Sequence, residues 1–147
     1  MIAKIIRDQE NKVIHNTDGS NLPRGLASIF IQKSTIFGTI KADYGVFEVD
    51  EAALPFVLQQ LRPNVVVLTN LFRDQLDRYG EIDTLAEKWI TALKDFDKQT
   101  KIILNADDPV IATLGQKVEL PTSYYGVGSS TFCPRVAITG SSAFRII

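Results

Sequence analysis

The stretch NVVVLT at residues 64–69 constrains the fold more than any other. A strand with one wet face alternates apolar and polar residues. An unbroken β-branched run is instead the pattern of a strand buried on both faces, as in parallel sheets covered by helices. KIILN (101–105) repeats the pattern, and KVIHN (12–16) and YGVFEV (44–49) read as shorter strands. Helical spacing fills the intervals. Ile2, Ile5 and Ile6 fall at i, i+3, i+4 in residues 2–9. LPRGLASIFIQK (22–33) reads as a helix with Pro23 in its first turn, and Gly25 there either weakens the start or admits a close backbone approach. DEAALPFVLQQL (50–61) starts acidic, as the helix dipole favours, with Pro55 as a point of kinking. EIDTLAEKWITALKDF (81–96) is the clearest helix, its stripe being Ile82, Leu85, Ala86, Trp89, Ala92, Leu93 and Phe96. DDPVIATLG (107–115) has the acidic start, early proline and terminal glycine of a short helix. Strands alternating with helices in this way predict an α/β fold, a parallel sheet with helices on both faces. Residues 34–43 stay ambiguous, and no element is assigned after Pro121.

Composition bounds the rest. The 147 residues suffice for one domain with a real core, and 45% hydrophobic against 22% charged is an ordinary globular balance. A formal net charge of −1 provides no global field to recruit nucleic acid. Cys133 is the single cysteine, so no intramolecular disulfide forms, which suits a reducing cytoplasm. No apolar stretch reaches the ~18 residues of a membrane span, and the N-terminus lacks the apolar centre of a signal peptide. These features lead us to expect a cytoplasmic chain without a transmembrane segment.

Parallel α/β sheets bind ligands beyond the carboxyl ends of their strands. The segments to search are therefore TDGSN (17–21), EVDE (48–51), TNLFRDQLD (69–77) and NADD (105–108). They offer carboxylates, amides and hydroxyls, the hard oxygen donors magnesium prefers. Glu48, flanked by Phe47 and Val49, should face a cation or a donor, since burying a lone carboxylate is costly; pairing with Lys or Arg is the equal alternative. For Asp74, Asp77, Asn105, Asp107 and Asp108, helix capping is the plainer role. His15 reads as structural, Trp89 as core and Lys88 as solvated. The phosphate-loop pattern G-x-x-x-x-G-K-[ST] is absent. GVGSST (126–131) has no lysine, and VAITGSS (136–142) only superficially looks like a strand entering a nucleotide loop.

Taken together, the four segments resemble the central ATP-binding domain of the Mur ligase family. That family's T-N-x-x-x-D-H-L-D-x-x-G stands here as TNLFRDQLDRYG (69–80), its N-x-D-D as NADD, and its metal-binding glutamate as Glu48. GSNLPRGLAS (19–28), EVDEAALP (48–55), FRDQLDRYGEIDT (72–84) and YYG (124–126) are similar to one branch, the MurT-type subunit of lipid II isoglutaminyl synthase. The resemblance covers about residues 1–126. It implies a P-loop NTPase-like fold and ATP-dependent activation of a carboxylate as an acyl phosphate. It also implies a partner, a GatD-like glutaminase subunit supplying ammonia, and lipid II as the substrate amidated at its stem-peptide glutamate. By this resemblance Asn21 would be catalytic, near the γ-phosphate and the acceptor carboxylate. Glu48 would hold Mg2+, and Asn105 and Asp108 would face the adenosine of ATP.

The sequence departs from the family in three places. Gln75 stands where many members have a metal-binding His, and an amide is a poorer, neutral ligand. Lys88 lies one residue too near Gln75 to take the role of the family's modified lysine. The family's phosphate loop and C-terminal ligase domain have no counterpart in these residues. The expectation is thus a partial central domain at 1–126, inactive alone, for which micromolar Mg-ATP binding would be contradictory. Residues 127–147 are expected to be an irregular tail. There FCPRVAITG (132–140) has Val136 where the branch's zinc ribbon has a second cysteine. Structural zinc needs four ligands, so none is expected in this chain, and an interruption after Arg135 is the expected cause. The competing functions are a non-catalytic remnant or partner-docking module, and another Mur-type or folylpolyglutamate-type ligase, which the DQLDRYGEID wording disfavours.

Overall fold

A computed structural model describes residues 1–16, 19–71 and 79–127, with side chains described up to 71 and again from 83. Asp74, Gln75, Asp77, Ile82 as a stripe residue, Cys133 and the tail motifs lie outside the described residues.

The chain alternates in order α1 (Ile2–Arg7), β1 (Val13–His15), α2 (Pro23–Lys33), β2 (Tyr44–Val46), α3 (Leu54–Gln60), β3 (Val65–Leu68), α4 (Tyr79–Lys94), β4 (Lys101–Asn105), α5 (Pro109–Leu114) and β5 (Thr122–Tyr125). Every pairing between these strands is parallel, with Val13 opposite Tyr44, Val65 opposite Lys101 and Ile102 opposite Thr122. The expected α/β architecture is therefore present, parallel strands flanked by helices. The strands form two ladders, β1-β2 and β3-β4-β5.

Two elements differ from the sequence reading. α3 starts at Leu54, four residues after Asp50. A proline ring in a helix collides with the carbonyl four residues earlier, so Pro55 tolerates only a first-turn place. The acidic residues fall in the turn before it, where the Ala53 and Leu54 amides donate to the Asp50 carbonyl at 3.1 and 3.0 Å. β5 is the second difference, a strand over TSYY that the sequence reading left unassigned. The ambiguous segment 34–43 holds an antiparallel bridge between Ser34 and Ile40, with Gly38 at φ 74° in the turn between them.

The core sits on the three-stranded ladder. Ile102 and Leu104 of β4 and Ile111 of α5 are fully buried. Leu85, Ala86, Trp89, Ile90, Ala92, Leu93 and Phe96, from α4 and the turn after it, close over the same core. The predicted stripe from Leu85 onward is thus its buried face, with Ile90 added. The two-stranded half is thinner. α2 buries only Leu26 and Ile29, and α1 buries nothing, leaving Ile2 and Ile5 exposed.

Between the halves lies a slot of about 760 Å3, lined among others by Lys4, Val46, Phe47, Val65 and Val67. Among the described residues β2 pairs only with β1 and β3 only with β4, so their other edges carry no strand.

Candidate functional site

Three segments leave the carboxyl ends of β1, β2 and β3 and converge on one cavity of about 320 Å3. Its lining includes Asn21, Glu48, Asp50, Thr69, Asn70 and Trp89. Sequence reasoning named Asn21 and Glu48 from segments 27 residues apart, and the structure brings both to this cavity. Asn21 and the strand-end turn are tied directly, the Asp50 amide donating to the Asn21 carbonyl at 3.0 Å.

Glu48 lies two residues past β2 and is exposed, not buried between its apolar neighbours. Its carboxylate makes no hydrogen bond or ion pair with another described residue, so the Lys or Arg pairing weighed from sequence is absent there. An exposed carboxylate that shares a cavity with Asn21 and Thr69 is of the type magnesium uses, since that ion keeps several waters and needs only one or two carboxylates. No group of three or more His, Cys, Asp or Glu side chains gathers as a metal cluster among the described residues.

Asn105 and Asp108 occupy the end of β4 instead. Asn105 donates through Nδ2 to Asn70 Oδ1 at 2.9 Å and accepts at Oδ1 from the Asp107 amide at 2.9 Å. The amide has two N–H donors, and the other makes no hydrogen bond to another described residue, so it is available to a ligand. Asp108 is committed more fully. Its Oδ1 accepts from the Val110 and Ile111 amides, at 3.0 and 3.1 Å, as the N-cap of α5, the capping role read from the sequence. Its Oδ2 accepts from the Leu71 amide at 2.9 Å, which joins the loops after β3 and β4. Such a carboxylate orders the rim of a site better than it receives a nucleoside.

Sequence reasoning missed two residues here. Asn70 lines the cavity and carries it toward Asn105, and the only signal was its place in the TN pair closing a buried strand. Asn16 follows β1 and bonds across 32 residues to the backbone of Glu48; no local pattern announces such a bond. His15 is half-buried. Its Nδ1 lies 2.7 Å from the Asn16 carbonyl, an acceptor only, so the proton sits on Nδ1. Trp89 is core and donates through Nε1 to the Glu51 carbonyl at 2.9 Å, while Lys88 is exposed, both as read.

Beside Asn105, the Asp107 carboxylate accepts from the Val127 amide at 2.7 Å. Burial first, and the Asp107 charge second, push the Tyr125 phenol above its ordinary value. No helix of the described residues is long and apolar enough to cross a membrane.

Comparison with known proteins now adds to this geometry. The model of the Mur ligase middle domain matches residues 1–139. The subunit MurT of lipid II isoglutaminyl synthase (glutamine-hydrolyzing) from Staphylococcus aureus strain COL is 38% identical over 128 residues, 86% of this chain and 28% of that protein. Its namesake from Streptococcus pneumoniae R6 is 32% identical over 123 residues, 83% of this chain and 26% of that protein. A UDP-N-acetylmuramate–L-alanine ligase from Desulforamulus reducens is 22% identical over 142 residues, 86% of this chain and 30% of that protein. The chain thus spans between a quarter and a third of the length of these relatives.

Proposed function

The chain belongs to the Mur ligase middle-domain family, and on that premise we propose that it is part of an ATP-dependent ligase of peptidoglycan synthesis. The finer reading is amidation of the stem-peptide glutamate of lipid II. The glutamate carboxylate takes the γ-phosphoryl group of ATP to become an acyl phosphate. Ammonia then attacks the acyl carbon and phosphate leaves, giving carboxamide, ADP and phosphate. The similarity to chains named as subunits of a glutamine-hydrolyzing lipid II isoglutaminyl synthase supports this reading, and supports a glutaminase subunit as the source of ammonia. Use of ATP and the lone cysteine favour the cytoplasm.

The observation that carries the proposal is the meeting of Asn21 and Glu48 in one cavity at the strand ends. Glu48 would hold magnesium, which when bound neutralises charge developing on a transferred phosphoryl group. The Asn21 amide would donate to an oxygen of the acceptor carboxylate or the phosphoryl group. Asn105 would meet adenosine with its remaining N–H, and Asp108 would hold the two loops that frame it.

The protein should be purified from its host with whatever subunits accompany it, then given lipid II, Mg-ATP and glutamine. Mass spectrometry should find carboxylate converted to carboxamide, and Glu48→Gln should lower kcat roughly a hundredfold or more. Unmodified lipid II from an intact complex contradicts the proposal. The second reading, a partner-docking module, is favoured by the outer edges of β2 and β3, which pair with no strand among the described residues. Capture of a glutaminase-like protein without amidation would support it.

A further inference from the structure

Asn16 stands where the β1-β2 ladder ends. The register runs Val13 to Tyr44, Ile14 to Gly45 and His15 to Val46, then the strands part. Beyond that point the Asn16 side chain takes over. Its Oδ1 accepts from the Glu48 amide at 2.8 Å, and its Nδ2 donates to the Glu48 carbonyl at 2.6 Å. A carboxamide offers the same donor and acceptor pair as a peptide group, so this is a strand rung made by a side chain. The second Nδ2 hydrogen goes to the Ser20 carbonyl at 3.1 Å. These three bonds use both N–H groups of the amide and fix which way it faces. They tie together the backbones of Glu48 and of Ser20, the neighbour of Asn21.

A second constraint acts on the same turn. Gly25 of α2 lies so close to Ser20 that a Cβ there would sit 2.6 Å from the Ser20 carbonyl oxygen. The 19–21 turn is therefore held between α2 on one side and Asn16 on the other. Asn21 in turn accepts from the Asp50 amide, two residues past Glu48. The loops after β1 and β2 form one framework with Asn16 as its central joint. The framework leads to the cavity that Asn21 and Glu48 line.

We propose that Asn16 is a positioning residue, which holds the Glu48 carboxylate and the Asn21 amide at a fixed separation so that one bound divalent cation faces both. This rests on the reading of Glu48 as a metal ligand. The test uses Mn2+ as a paramagnetic probe on the full 147-residue chain, observed through the backbone amides by NMR. In the parent chain Mn2+ should broaden the amides of Glu48–Asp50 and of Asn21 together. Asn16→Ala, and Asn16→Leu as a variant of similar volume, should keep the broadening at Glu48–Asp50 and lose at least threefold of it at Asn21. Thermal midpoints measured in parallel separate this from general loosening, which would not split the two segments. Equal broadening of both segments in the variants overturns the proposal. Glu48→Gln tests the metal reading separately, since unchanged broadening in that variant overturns the ligand assignment. The metal-free spectra then decide for Asn16: unmoved amide shifts at Asn21 and Glu48–Asp50 in Asn16→Ala overturn its positioning role, and shifts in both segments support it.

Discussion

Asp108 accepts three backbone N–H bonds and so couples a helix start to a loop 37 residues earlier. Removing it should leave three amides to find water or new partners. Asp108→Ala is therefore expected to lower stability by about 2 kcal/mol, read as a fall in the urea midpoint. Tyr125 gives a pH signature. Its proton is held more tightly in the folded chain than in the unfolded one, because burial and the Asp107 charge disfavour phenolate. Above about pH 10 the unfolded chain loses that proton first, so stability falls as pH rises toward the folded value. Denaturation between about pH 9 and 11 should show a shallower decline in Tyr125→Phe. The capping part of Asp108 was legible, since Asp before Pro with an apolar run behind it is a helix start. Its bond to Leu71 was not, because a contact made by tertiary folding leaves no local trace. Asn16 was hidden for the same reason.

At the scale of elements, close approaches decide what tolerates change. Gly25 lets α2 lie against the Ser20 backbone, and a methyl there meets main-chain atoms that cannot swing aside. Gly25→Ala should cost about 1–3 kcal/mol as overpacking, visible in the thermal midpoint, and should shift the amide signal of Asn21. The sequence suggested a weakened helix or a close approach at this glycine, and the approach is the reason. Trp89 joins α4 to the turn before α3 through its indole N–H and the Glu51 carbonyl. Trp89→Phe loses that bond and some volume, an expected 1–3 kcal/mol or about that by chemical denaturation. The long amphipathic α4 was readable because its stripe repeats over four turns. β5 was not. Its four residues are flanked by Pro121 and Gly126, and only pairing with β4, from Ile102 opposite Thr122 to Asn105 opposite Tyr125, makes it a strand. α3 was placed in type but began late, because Pro55 forbids the earlier turn.

The whole molecule is unequally packed. Ile102, Leu104 and Ile111 lie at the centre of the three-stranded half, whereas β1 and β2 contain no fully buried residue. Amide exchange should follow this division. The amides of β4 should exchange only with global unfolding, and those of β1 and β2 through cheaper local opening, as mass spectrometry or NMR would resolve. Equal protection across both ladders would contradict it. The parallel α/β class was legible because strands buried on both faces must be covered by helices. The division into two ladders was not, since a hydrophobic pattern tells which faces are buried and says nothing of which strands become neighbours. The slot between the halves has a consequence for solubility. Open strand edges ordinarily template the lateral growth of fibres, but growth needs an edge with free space beyond it. Here residues of β2 and β3, Val46, Val65 and Val67 among them, line one shared cleft. An edge that opens into such a cleft offers a visiting strand less room than an edge on the outer surface.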